Sequence, residues 1–178
     1  GALFAGPFCL LYTYFAYGAF DAGKAGEIAV APTMLLGFVF MGLYLWRKNY
    51  LTGDKHLYSP VSVPYLAWSL LAGMASMYII AVLMSELTFL PNLLDQTFDM
   101  LQSGWLGILC ISVLGPVLEE LLFRGAITKE LLRRYSPAKA ILFSGLIFGI
   151  FHLNPAQIIG ACLIGFLLAW LYYKTRSL

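Results

Sequence analysis

The chain alternates long apolar runs with short polar connections. A helix that crosses a bilayer needs about 20 mostly apolar residues. Six runs reach or approach that length: Leu3–Phe20, Ile28–Trp46, Pro64–Met84, Gly104–Phe123, Ala138–His152 and Ala156–Tyr173. None of them alternates apolar and polar residues with the period of two that a membrane barrel strand requires. The pattern therefore predicts an all-α protein, a polytopic membrane helix bundle with about six transmembrane helices. No internal repeat, low-complexity tract or long linker divides it, so residues 1–178 are expected to form a single domain.

Composition strengthens this reading. Hydrophobic residues make up 61% of the 178 and charged residues only 11%, against roughly a quarter charged in soluble domains. The connections then orient the helices. The stretches from Arg47 to Lys55, from Gly125 to Lys139 and from Lys174 to Arg176 are basic. The stretch from Ser85 to Ser103 carries Glu86, Asp95 and Asp99 without Lys or Arg. Basic connections stay on the cytoplasmic side, so both ends of this chain are expected to be cytoplasmic. Tyr44, Trp46, Tyr50, Tyr172 and Tyr173 would mark the inner interface, and Trp105 the outer one.

Net charge is +2, too small to point to nucleic acid. Cys9, Cys110 and Cys162 each lie within an apolar run and form no Cys-x-x-Cys pair, so they read as packing residues. No cleavable signal peptide is visible. The opening Gly1, without Met, is expected to mark a fragment or partial numbering.

One run is not uniformly apolar. It reads Gly115-Pro116-Val117-Leu118-Glu119-Glu120-Leu121-Leu122-Phe123-Arg124-Gly125. A charge in mid-membrane costs about 2.5–3.5 kcal/mol on insertion scales, so adjacent acids there call for a reason. Glu120 and Arg124 are four residues apart, share a helix face and can pair. Glu119 points about 100° away, and the sequence places no cation one turn from it. Two carboxylates in such different surroundings suit acid/base chemistry. Pro116 is expected to kink the helix within a turn of Glu119. The structural alternative is an ion pair at the cytoplasmic mouth with a hydrated Glu119 beside it.

The following run ends in Phe148-Gly-Ile-Phe-His152. Between the two runs lies Tyr135-Ser136-Pro137. Glu120 is 16 residues before Ser136 and His152 is 16 residues after it. Antiparallel helices of equal rise would place His152 level with the glutamates and Phe148 level with Arg124. Gly145 and Gly149 give that helix a smooth face for close approach. Glu119, Glu120 and His152 are thus expected to line one polar pocket. Sixteen helical residues span about 24 Å, so the hairpin tip, with Lys129, Arg133, Arg134 and Lys139, would project into the cytosol. Glu130 and Arg134 could pair there. The Asn154-Pro155 turn would then lie within the membrane thickness, where protein or trapped water must satisfy its backbone. His56, near Lys55 and Tyr58, reads as solvated surface.

A carboxylate and an imidazole in a wet pocket can activate water for attack on an amide. The carboxylate acts as base, while the imidazole orients the water or stabilises developing charge. No serine stands in a nucleophile motif; Ser112 and Ser144 are isolated on apolar helices. Zinc could also activate water, but it needs about three protein ligands, and the chain offers one intramembrane histidine besides the glutamates. No cofactor is expected, with zinc the minority alternative.

Glu119-Glu120-Leu-Leu-Phe-Arg124-Gly125 resembles the EExxxR motif of the CPBP family, which includes the CAAX prenyl proteases, bacteriocin-processing enzymes and abortive-infection (ABI) proteins. Phe148-Gly-Ile-Phe-His152 resembles its FxxxH motif, and Gly165 to Leu178 is similar to the stretch that follows. The resemblance covers Gly104 to Leu178. It implies a glutamate-dependent intramembrane endopeptidase that cleaves near the cytoplasmic face. Glu119 would be the general base with His152 assisting, Glu120 and Arg124 the supporting ion pair, and Phe148 part of the pocket wall. A hydrophobic or membrane-associated peptide would be the substrate. The family's third motif, a histidine with Asn or Asp four residues on, has no counterpart before Leu178, so the CPBP-like core 104–178 is expected to be truncated ahead of it. The alternative is a non-catalytic partner in the bilayer, an immunity or regulatory protein that binds a bacteriocin or a sensor kinase. A proton or ion transporter is a third possibility, but matching halves with broken helices are not seen.

Overall fold

The computed structural model describes residues 2–50 and 59–178, with side chains from residue 7 onward. His56 and its neighbours Lys55 and Tyr58 lie outside the described residues. Within them the chain is helical, and no strand occurs among the described residues. The elements are α1 (Ala2–Tyr17), α2 (Ala22–Arg47), α3 (Val63–Glu86), α4 (Asp95–Gln102), α5 (Trp105–Arg134), α6 (Pro137–Phe151) and α7 (Pro155–Thr175). All six expected runs are helices. α2, α3, α5 and α7 are long and apolar enough to cross a membrane, and α6 is a shorter apolar helix. On α3 no side chain is buried, and Trp68 and Tyr78 expose more than 70% of their surface. Apolar surface on that scale needs lipid as its solvent. The protein is an integral membrane helical bundle.

Two features depart from the expected pattern. The connection from Ser85 to Ser103 contains a further helix, α4. It has only eight residues, with Asp95 in its first turn and Leu101 buried, so it is too short and polar to register as an apolar run. The fourth run also continues well past Phe123, to Arg134. Its hydrogen-bond ladder widens to π-helical turns at Cys110–Leu114 and Phe123–Thr128. The first of these lies directly before Pro116. There the Gly115 N–H reaches back five residues to the carbonyl of Cys110, and the widened turn accommodates a residue that has no N–H of its own. π-turns of this kind recur near functional sites.

The chain forms two compact units. The first comprises Gly1–Lys48 and Leu94–Glu119. α1 and α2 pair as a hairpin, and Asp21 caps α2 by accepting from Lys24 N–H at 2.9 Å. The buried Thr13 hydroxyl donates to the Leu10 carbonyl at 2.8 Å and accepts from Asp21 N–H. Phe38 of α2 packs at Gly115 and Leu118 at Gly42. Cys9 and Cys110 are buried and reduced.

The second unit comprises the described part of Asn49–Leu93 together with Glu120–Leu178. Its densest contact is α6 against α7. A Cβ on Gly145 would strike the Phe166 ring, and one on Gly149 would strike the Cys162 sulfur. Gly165 of α7 faces the Gly145 backbone in return. The smooth face anticipated at Gly145 and Gly149 thus seats α6 on α7. α3 packs on the opposite side of α7, with Ile80 at Gly160.

The α5–α6 hairpin has a register centred on Ser136. Thr128, eight residues before it, meets Ser144, eight after, in a buried hydroxyl pair of 2.6 Å. The isolated serine of the sequence therefore has a specific partner. Thr128→Val should destabilise the fold by about 1–2 kcal/mol, since it strands a buried hydroxyl. Thr128→Val with Ser144→Ala should cost less than the single change, and melting of the detergent-solubilised protein would measure both.

Candidate active site

Glu119 and Glu120 sit side by side on α5, both half-buried. Glu120 Oε1 lies 3.1 Å from Arg124 Nη1, the pair expected from their spacing. Arg124 is 1% exposed. Its Nη2 donates to the Gly165 carbonyl of α7 at 3.4 Å, and its guanidinium lies 4.7 Å from the centre of the Phe148 ring. A charge so buried must be compensated at close range. Here a carboxylate, a backbone carbonyl and an aromatic face share the task.

Phe148 is the hub of the site. Its ring meets Phe123 edge-on at 4.8 Å, Arg124 on its face, and the His152 ring edge-on at 5.0 Å. Arg124 and Phe148 are each twelve residues from Ser136, so this contact continues the register set by Thr128 and Ser144. One further step of four along each helix leads to Glu120 and His152.

His152 follows the last residue of α6 and is half-buried. Its backbone N–H turns back to Gly149 at 3.2 Å, which releases the Phe148 carbonyl. The ring Nδ1 takes that carbonyl at 2.9 Å. A carbonyl only accepts, so Nδ1 carries the hydrogen, and in the neutral ring Nε2 keeps its lone pair.

The cavity that Glu120 and Arg124 line holds about 180 Å³. Its other walls include Tyr65 and Ser69 of α3, Leu168 and Tyr172 of α7, and Thr175. His152 is not among its lining residues; that ring meets the ion pair's surroundings through Phe148. Tyr172, expected in the inner aromatic belt, is buried at 5% exposure. It faces this cavity because the last turn of α7 packs inward, whereas Tyr44, Trp46 and Trp105 are exposed as a belt requires. Among the described residues no group of three or more His, Cys, Asp or Glu side chains is placed to hold a metal ion.

The turn after His152 carries a residue that the sequence reading did not single out. Asn154 is fully buried. Its Oδ1 accepts from Leu93 N–H at 2.9 Å, and its Nδ2 donates to Asn92 Oδ1 at 2.8 Å. The backbone of this turn is satisfied by protein: Leu153 N–H donates to Ile150, and Ala156 N–H to Pro91. At the hairpin tip Glu130 accepts from Arg134 at 2.6 Å, the exposed pair expected there.

Glu120, salt-bridged to the buried Arg124, and the His152 ring are thus both held to Phe148, the one through Arg124 and the other directly. Residues 101–178 match the family model described as Type II CAAX prenyl endopeptidase Rce1-like. Among curated proteins, one from Bacillus subtilis named "Putative membrane peptidase YdiL" is 35% identical over 80 residues, 45% of this chain. The matched stretch spans about a third of that relative's length, 33%. No solved structure matches the chain.

Proposed function

We propose that this protein is an intramembrane endopeptidase that hydrolyses a hydrophobic, membrane-associated peptide near the cytoplasmic face. The observation that carries the reading is the hairpin register. Thr128 on Ser144 and Arg124 on Phe148 set a register in which one further step of four along each helix leads to Glu120 and His152. The match of the same segment to a peptidase family supports it.

In this reading Glu119 is the general base. It takes a proton from a water, the hydroxyl adds to the peptide carbonyl carbon, and the proton passes to the departing amine. His152 holds Nδ1–H on the Phe148 carbonyl, so its Nε2 accepts from the water and aims it. Glu120 and Arg124 fix the helix turn that carries the base, and Phe148 closes the wall between them. Water activation within the bilayer needs no metal on this scheme. Both chain ends lie on the cytoplasmic side, which puts the basic α5–α6 tip in the cytosol.

The test is His152→Gln in proteoliposomes that contain a membrane-anchored peptide reporter. General acid/base groups typically contribute 10²- to 10⁴-fold, and cleavage should fall by about 10²-fold or more. Unchanged cleavage by a folded variant would remove the imidazole from the mechanism. Loss of cleavage with retention of a cellular effect would point to a binding role instead.

A further inference from the structure

We infer that Asn154 is a positioning residue for His152, acting by clamping the α6–α7 turn to the Pro91–Leu93 segment. This inference rests on the proposed role of His152 and adds to it the device that holds the ring in place.

Asn154 occupies the position before α7, where an asparagine ordinarily caps the helix with its own side chain. It makes no such bond. Both ends of its amide are used elsewhere, on Leu93 and Asn92, some sixty residues earlier in the chain. The N–H of Ala156 is taken by the Pro91 carbonyl at 3.3 Å, so the start of α7 is capped by that distant segment. Three consecutive residues, 91–93, therefore grip the turn.

The turn itself is not relaxed. Leu153, between His152 and Asn154, has φ +52° and exposes 75% of its surface. A left-handed conformation costs a non-glycine residue on the order of 1–2 kcal/mol, and neither packing nor a side-chain bond of Leu153 offsets it. The neighbouring clamp does. Only this strained residue separates the clamp from the imidazole, so releasing the clamp lets the chain direction at His152 relax. The ring would then lose its fixed bond to the Phe148 carbonyl.

The 178-residue chain contains two histidines, His56 and His152, which makes the ring directly observable. The 178-residue chain labelled with ¹⁵N-histidine in nanodiscs gives two sets of imidazole signals, and His152→Gln assigns them. For the parent, the two nitrogens of His152 should resonate far apart, as in a single tautomer. Asn92→Asp preserves an acceptor for Asn154 Nδ2 and should leave this pattern unchanged. Asn154→Leu and Asn92→Ala should draw the two His152 signals together while His56 stays put. Asn92 is exposed, so Asn92→Ala keeps the test alive if Asn154→Leu fails to fold. Unchanged His152 signals in folded Asn92→Ala, or equal disturbance by Asn92→Asp, would overturn the inference. The readout does not depend on activity: full cleavage by His152→Gln would defeat the peptidase role of the ring and leave the clamp to be judged by the signals alone.

Discussion

Glu119→Gln should abolish peptide cleavage while the protein remains folded. The change removes a charge and a base but keeps the shape of the side chain. General-base loss alone is worth about 10²- to 10⁴-fold. An amide, a poor base, cannot take the proton from water at all, so the drop should approach the upper end. The contrast with Glu120→Gln makes the result specific. Glu120 is bound to Arg124, so its neutral analogue should lower stability before it lowers chemistry. Vesicle-reconstituted variants, assayed for reporter cleavage and for melting temperature, separate the two effects. Equal residual activity in both variants would show that neither acid is the base.

Arg124→Met should be the most destabilising single change at the site. Breaking one side of a buried ion pair typically costs about 3–5 kcal/mol, because the remaining charge stays in a poorly solvated place. Glu120 is 35% exposed and can recover some hydration, so about 3 kcal/mol is expected. The methionine would fill the space over Phe148 but could not donate to the Gly165 carbonyl, so the contact between α5 and α7 would also weaken. Glu120→Gln with Arg124→Met should recover part of the loss. Unfolding in denaturing detergent, read by tryptophan fluorescence, would measure the cycle. A double variant no better than Arg124→Met would show that the pair adds little.

Much of this arrangement was legible in the sequence because it rests on counting. Apolar run lengths located the helices, and a four-residue spacing located the Glu120–Arg124 pair. Equal distances from Ser136 placed Phe148 at Arg124, which the ring contact bears out. Depth counting survived the π-turn at Phe123–Thr128 because one widened turn alters the rise little. What counting could not reach are contacts between segments distant in sequence. Asn154 read only as part of a short turn, and its partners lie 61 and 62 positions away. Tyr172 read as an interface aromatic, and only the packing of α7 reveals it as a cavity wall. Ser144 read as solitary because its partner lies on another helix. α4 was missed because its eight residues are too few and too polar to form an apolar run.

The glycine seam between α6 and α7 determines which walls can yield. Where the glycines leave no room even for a methyl group against the Phe166 ring and the Cys162 sulfur, the helices have little room to slide, so the pair behaves as one plank. α3 also meets α7 at a glycine, with Ile80 at Gly160, and contributes Tyr65 and Ser69 to the cavity edge. A shift of α3 would therefore reshape the cavity edge at Tyr65 and Ser69 while leaving α6 seated on α7.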